Sequence, residues 1–146
     1  MAELNPFAIQ HIAAGVVREC SADGTIYIYN VDNNSPLTIK SWGANVKEIL
    51  SSWPANSVCL LMHDLHKIGQ SAFDRPMTDM LDELYSTRPE LERNIAYISP
   101  NTDIIANLFI TSHLLNVNGN NRVHWKLFDS RREGINWLIK LRNERQ

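Results

Sequence analysis

The sequence predicts an α/β domain with one mixed sheet of about five strands, an antiparallel hairpin at its start and about four helices. Three observations carry that prediction. Val58 to Met62 is a short, wholly apolar run bracketed by turn formers, Trp53-Pro54-Ala55-Asn56 before it and Gly69 after it. A run too short for a helix core and led by Val reads as a strand covered on both faces, as in the middle of a parallel sheet. From residue 36 onward, amphipathic helical stretches alternate with strand-like stretches, the pattern of parallel crossovers. Ahead of them Ser21-Ala22-Asp23-Gly24 separates two apolar stretches, and Asp-Gly takes the positive φ that tight hairpins demand.

Residues 1–10 read as an N-terminal tail and residues 11–146 as one domain, long enough to bury roughly 70% of its unfolded surface. Ile12 to Cys20 reads as the first strand. Thr25 to Val31, where aliphatic and aromatic residues alternate, is its hairpin partner. Ser35 is placed as an N-cap and Pro36 suits the first helical position. Ile39, Trp42, Val46, Ile49, Leu50 and Trp53 then make the buried stripe of a first helix, with Lys40, Asn45, Lys47 and Glu48 on its wet side. Pro54 ends it. After the central strand, Met77, Met80, Leu81, Leu84 and Tyr85 form the core face of a second helix that carries Asp79, Asp82 and Glu83 outward.

Arg93 to Ser99 is a further strand, closed by Pro100. Asn101, Thr102 and Asp103 are competent caps for a third helix whose core face is Ile104, Ile105, Leu108, Phe109, Leu114 and Leu115. Val123, Trp125 and Leu127 alternate with His124 and Lys126, which predicts a strand wet on one face. Ser130 and Glu133 form a capping-box pattern at the head of the last helix, and Ile135, Leu138, Ile139 and Leu141 give its core side.

Composition narrows the function. The chain is 44% hydrophobic and 21% charged, ordinary for a globular protein, with a net charge of -2. That charge argues against a nucleic-acid partner held by phosphate neutralisation, since only Arg131-Arg132 and the stretch from Lys140 to Arg145 are locally basic. No stretch has transmembrane length, and Met1 to Ala14 lacks a signal-peptide layout, so a cytoplasmic location is expected. Cys20 and Cys59, each in an apparent strand, read as reduced buried thiols.

The closing segment is the most specific part of the chain. Ala106-Asn107-Leu108-Phe109 through Leu114-Leu115, then Val123 to Phe128, Ser130, Glu133, Gly134, Ile135, Trp137 and Leu138, resembles the end of STAS domains. Their final strand and Phe-x-Ser-x-x-Glu-Ala-x-x-Trp-Leu ending match here, with Gly134 at the Ala position. The element order and the Asp-ended central strand extend the resemblance to the SpoIIAA-like fold of the sporulation anti-anti-sigma factors. What the resemblance implies is that fold and a regulatory protein partner of kinase or anti-sigma type. In signalling members the central strand runs into Asp-Ser/Thr-Ser-Gly, whose hydroxyl a partner kinase phosphorylates. Here Asp64 matches the Asp, but Leu65 and His66 stand at the hydroxyl positions and Gly69 is displaced. Ser71 is the nearest hydroxyl. The phosphosite is therefore not carried over, and what remains is a docking surface: Asp64, His66, Lys67 and Ser71 of the loop with Asp79, Asp82 and Glu83 of the second helix.

His63-Asp64-Leu65-His66 is the one cluster with a metal-like look. Zinc asks for three or four converging ligands, and neighbouring residues of a strand point to opposite faces. His11, His113 and His124 are scattered, so the histidines read as structural, and no metal or cofactor is expected. A His-Asp pair also marks the HD phosphohydrolases, but on helices and among further His and Asp motifs. Ser71 lacks a Gly-x-Ser-x-Gly setting, and Cys59 lies in an apolar run that makes a thiol inert. No catalytic residue is assigned. Trp42 and Trp53 share the stripe of the first helix, where core packing competes with a role as partner anchors.

The reading is a non-catalytic protein-interaction module in bacterial signalling, compatible with a homodimer. A carrier or sensor of a small apolar ligand is the alternative, with Met62, Phe73, Met77, Met80 and Phe109 as its pocket. A small hydrolase using His63, Asp64 or His66 ranks third.

Overall fold

A computed structural model of the chain describes residues 7–68, 75–98 and 122–144. In chain order these form β1 (Ala8–Ala13), β2 (Val16–Cys20), β3 (Ile26–Val31), α1 (Pro36–Ser52), β4 (Cys59–Asp64), α2 (Arg75–Ser86), β5 (Arg93–Ile98), β6 (Val123–Phe128) and α3 (Arg131–Glu144). The six strands make one mixed sheet in the order of the chain. β1, β2 and β3 pair antiparallel, and β3 through β6 pair parallel.

The α/β class, the mixed sheet and the opening hairpin agree with the sequence; the strand count does not. The stretch predicted as one strand from Ile12 to Cys20 is divided by a turn at Ala14-Gly15, and β1 begins at Ala8, inside the expected tail. Gly15 has φ +87°, and a Cβ there would lie 2.7 Å from Thr38 Oγ1, so the turn requires glycine. Apolar residues on both sides of it keep the hydrophobic pattern continuous, which hides the break. The helix expected over Ile104–Leu115 lies outside the described residues, which contain three helices.

Strand alternation builds two cores. Tyr29, Val31, Cys59, Leu61, Ile95 and Tyr97 face α1 and α2, meeting Ile39, Trp42, Val46, Leu50, Leu81 and Leu84. Ile26, Ile28, Leu60, Met62, Ala96 and Ile98 face the other way, toward Leu138 and Ile139 of α3. The β3–β4 and β4–β5 crossovers advance in the same direction, so same-handed connections put α1 and α2 on one face. That leaves the other face of the parallel strands to α3. It sits close: a Cβ on Gly134 would be 2.7 Å from Met62 Cε and from Ile98 Cδ1. All six residues of β4 are buried, as expected for its apolar run.

Local chemistry sets the ends. Ser35 Oγ accepts the Thr38 amide and Pro36 opens α1, while Ser130 Oγ accepts the Glu133 amide at the head of α3. In the β2–β3 turn, Gly24 has φ +73° and Ser21 Oγ accepts the amides of Thr25 and Ile26. Burial alone would raise the Asp23 carboxyl pKa, but hydrogen bonds from Thr25 and Ser21 overcome it and hold the value at about 2.

Two arginines close the carboxyl ends of α1 and α2. Arg88 leaves α2 with φ +53°, and its Nη1 donates to the carbonyls of Leu50, Ser51 and Trp53. Arg93, 1% exposed, donates to the carbonyls of Leu84, Thr87, Arg88 and Leu91. A helix end leaves carbonyls without intrahelical donors and carries partial negative charge, so a guanidinium satisfies both demands. Arg93→Met should cost about 2–4 kcal/mol of unfolding free energy through the orphaned carbonyls. Urea unfolding checks this; a loss within experimental error would show that water replaces the guanidinium without cost.

Candidate functional site

The carboxyl end of β4 divides two residues that adjoin in sequence. His63 points into the α1–α2 core, 1% exposed, and Trp42 Nε1 donates to its Nδ1 at 3.3 Å. The rings of Trp42, Tyr97 and Tyr29 surround it at centroid distances of 5.0, 5.3 and 5.9 Å. Burial pushes its pKa down to about 3, so the imidazole is neutral, and Nδ1 is already engaged as an acceptor. Such a group serves packing. It is badly placed to act as a base on anything outside.

Asp64 points to the opposite side and is 2% exposed. Its Oδ1 accepts from the His66 amide at 3.2 Å and from His66 Nδ1 at 2.5 Å, and its Oδ2 lies 3.9 Å from Arg131 Nη1. Arg131, in the first turn of α3, reaches Glu19 on β2 through Nη2, at 2.7 Å to each carboxylate oxygen. Its Nη1 donates to Asn30 Oδ1 at 3.0 Å, and Asn30 Nδ2 donates back to Glu19 at 2.7 Å. Lys67 pairs with Asp32 at 3.4 Å. Together with Val17 and Val31 these residues line a cleft of 310 Å³ beyond the carboxyl ends of β3 and β4. Crevices at that end of a parallel sheet are where α/β proteins bind ligands.

The residues singled out from sequence are thus dispersed. Asp64, His66 and Lys67 meet in the cleft. Asp79 and Glu83 lie instead on α2, lining a groove of 450 Å³ against α1 whose other walls are Pro36, Ile39, Lys40, Gly43, Ala44, Lys47, Met80 and Leu84. Lys47 and Glu83 form an ion pair across it. Asp82 is only partly exposed, and its Oδ1 is buried without a hydrogen bond among the described residues. Burial, then repulsion from Asp79, raises its pKa.

Of the residues expected to form an apolar pocket, Met62 and Met80 lie apart. Met62 packs in the α3-side core and Met80 in the α1–α2 core, with the sheet between them. Ser71, Phe73 and Phe109 lie outside the described residues, as does the side chain of Met77. Trp42 and Trp53 are both core residues. Cys20 and Cys59 are free thiols, and burial raises Cys59 to about 12.

Glu19, Asn30, Asp32 and Arg131 were not legible as site residues. One signal was available: Asn30 falls in register with Ile26 and Ile28 on the α3 side, a polar end to an apolar stripe. Its partner Arg131 is 101 positions away, beyond any local pattern. Chemically, the cleft brings carboxylates, a guanidinium, an ammonium and an imidazole into paired contact, which orders its rim. Among the described residues no three of His, Cys, Asp and Glu converge as a metal ion requires, and no helix is long and apolar enough to cross a membrane. Comparison with protein-family models, curated proteins and solved structures finds no match.

His63 gives the protein a defined acid sensitivity. Above its ordinary value of 6.5 the imidazole is neutral folded and unfolded, and it contributes nothing. Below that, the unfolded chain takes up a proton that the folded chain refuses, so stability falls with pH until the folded group titrates near 3. By about pH 4.5 the loss should reach about 3 kcal/mol. His63→Phe should remove this component, flattening the difference between urea unfolding at neutral and acid pH; an unchanged difference would contradict the assignment.

Proposed function

We propose that the chain is a non-catalytic protein-interaction module of bacterial signalling or regulation, built on a STAS-like, SpoIIAA-like fold, with the α1–α2 groove as its docking surface. The observation that carries this reading is the groove itself. Its floor is apolar, from Ile39, Gly43, Met80 and Leu84, and its rim is charged, with Lys40 and Lys47 on α1 and Asp79 and Glu83 on α2. An apolar centre inside a polar rim is the anatomy of protein recognition surfaces. Leu37, 64% exposed, is a further apolar side chain open to solvent on α1. The resemblance carried by Ser130, Glu133, Trp137 and Leu138 supports a regulatory partner of kinase or anti-sigma type.

The partner would present an apolar side chain to the floor over Gly43 and Met80, flanked by charges that pair with the two signs on the rim. At 450 Å³ the groove takes one or two side chains, so the contact is suited to transient binding. The cleft around Asp64 and Arg131, on the α3 side, instead pairs His66 with Asp64 and Lys67 with Asp32.

Protein purified gently from its own cells should carry a partner detectable by native mass spectrometry. Ala44→Arg, at an exposed position of the groove wall, and Asp79→Lys should each weaken that partner's binding at least about tenfold with little change in melting temperature. Equal binding by both variants would sink the surface assignment, and a bound apolar small molecule in place of a protein would favour a carrier.

A further inference from the structure

We propose that the outer edge of β1 pairs antiparallel with β1 of a second copy of this chain, joining two sheets across a twofold axis. β1 is the terminal strand of the sheet, and among the described residues nothing pairs with its outer side. Ala8, Ile9, Gln10 and His11 are all exposed, and Ile9 is 66% exposed, the most exposed large apolar side chain of the described residues. Edge strands in stable monomers are commonly protected by Lys, by Pro or by inward charges. β1, Ala-Ile-Gln-His-Ile-Ala, has none of these; its one irregularity, between His11 and Ala13, leaves Ala8 to His11 in regular register.

The choice of a second copy rests on charge and closure. A strand without Asp, Glu, Lys or Arg can lie antiparallel to itself with no like charges opposed, whatever the register. The hairpin side of the sheet already runs antiparallel, so an added antiparallel strand continues its pattern. Cross-strand register puts Ile9 beside Glu19 and His11 beside Val17, on the α3 face, where α3 packs over β3 to β6 and reaches β2 through Arg131 to Glu19. Ile9 therefore stands beyond the cover of any described helix, where a neighbouring β1 would shield it. The opposite edge is guarded: β6 carries Lys126 and exposed His124. A twofold contact uses β1 of both copies and leaves no free β1 edge, so assembly stops at two.

A six-residue edge buries less than the roughly 800 Å² per partner of a standard stable interface, so the dimer should form in the micromolar range. Sedimentation velocity across that range tests it on the full chain. The wild type should shift from monomer to dimer, and Ile9→Lys should weaken dimerisation at least about tenfold with unchanged thermal unfolding, since Ile9 is exposed. Ala8→Lys supplies a second variant if the first fails to fold. A wild type that stays monomeric throughout, or a dimer that neither substitution weakens, would overturn the proposal.

Discussion

The structure depends on β4 being buried on both faces at once. A strand with a core on each side sends successive residues into different environments, and nothing local can override that alternation. Cys59, Leu61 and His63 go to the α1–α2 core; Leu60, Met62 and Asp64 go toward α3. The same constraint passes by register to β3 and β5, so Tyr29 and Tyr97 flank His63 while Asn30 lies beside Asp64. A histidine and an aspartate that adjoin in sequence are thereby separated into a neutral packing group and the anchor of a polar cleft.

The helices answer to a second constraint, the unpaired carbonyls at their ends. Arg88 and Arg93 meet it by donating to backbone carbonyls, with Arg88 also paired to the Glu90 carboxylate, which ties the ends of α1 and α2 to the segment entering β5. Burial lowers the Arg93 pKa, and a fan of carbonyl dipoles supports the charge in place of a counter-ion. Both helices that wall the groove are tied in this way at their carboxyl ends. On the other face, Arg131 links the head of α3 to β2 and β3 through Glu19 and Asn30.

Features set by local chemistry were legible in the sequence. Ser35-Pro36, Ser130 with Glu133, the turn at Asp23-Gly24 and the alternation of β6 each require only a few neighbouring residues. The turn at Gly15 was missed because a single glycine inside a continuous apolar run leaves hydrophobic periodicity intact. The site was less legible. Asp64, His66 and Lys67 were found from the end of a strand, whereas Glu19 and Arg131 come together across 112 positions. Met62 and Met80 looked like neighbours because both are methionines near one loop. Which face α2 covers is decided by the direction of the crossovers, and that separates them.

Two surfaces follow from this architecture, with different physical character. The cleft at the end of β4 is polar and internally paired; the groove between α1 and α2 has an apolar floor that only another molecule can desolvate further. Partner recognition through the groove is the central claim. Hydrogen exchange measured by mass spectrometry on the chain with and without its co-purifying partner tests it most directly. Added protection should be confined to α1 from Pro36 to Lys47 and α2 from Asp79 to Leu84. Protection centred instead on the β4 loop and the head of α3 would contradict it.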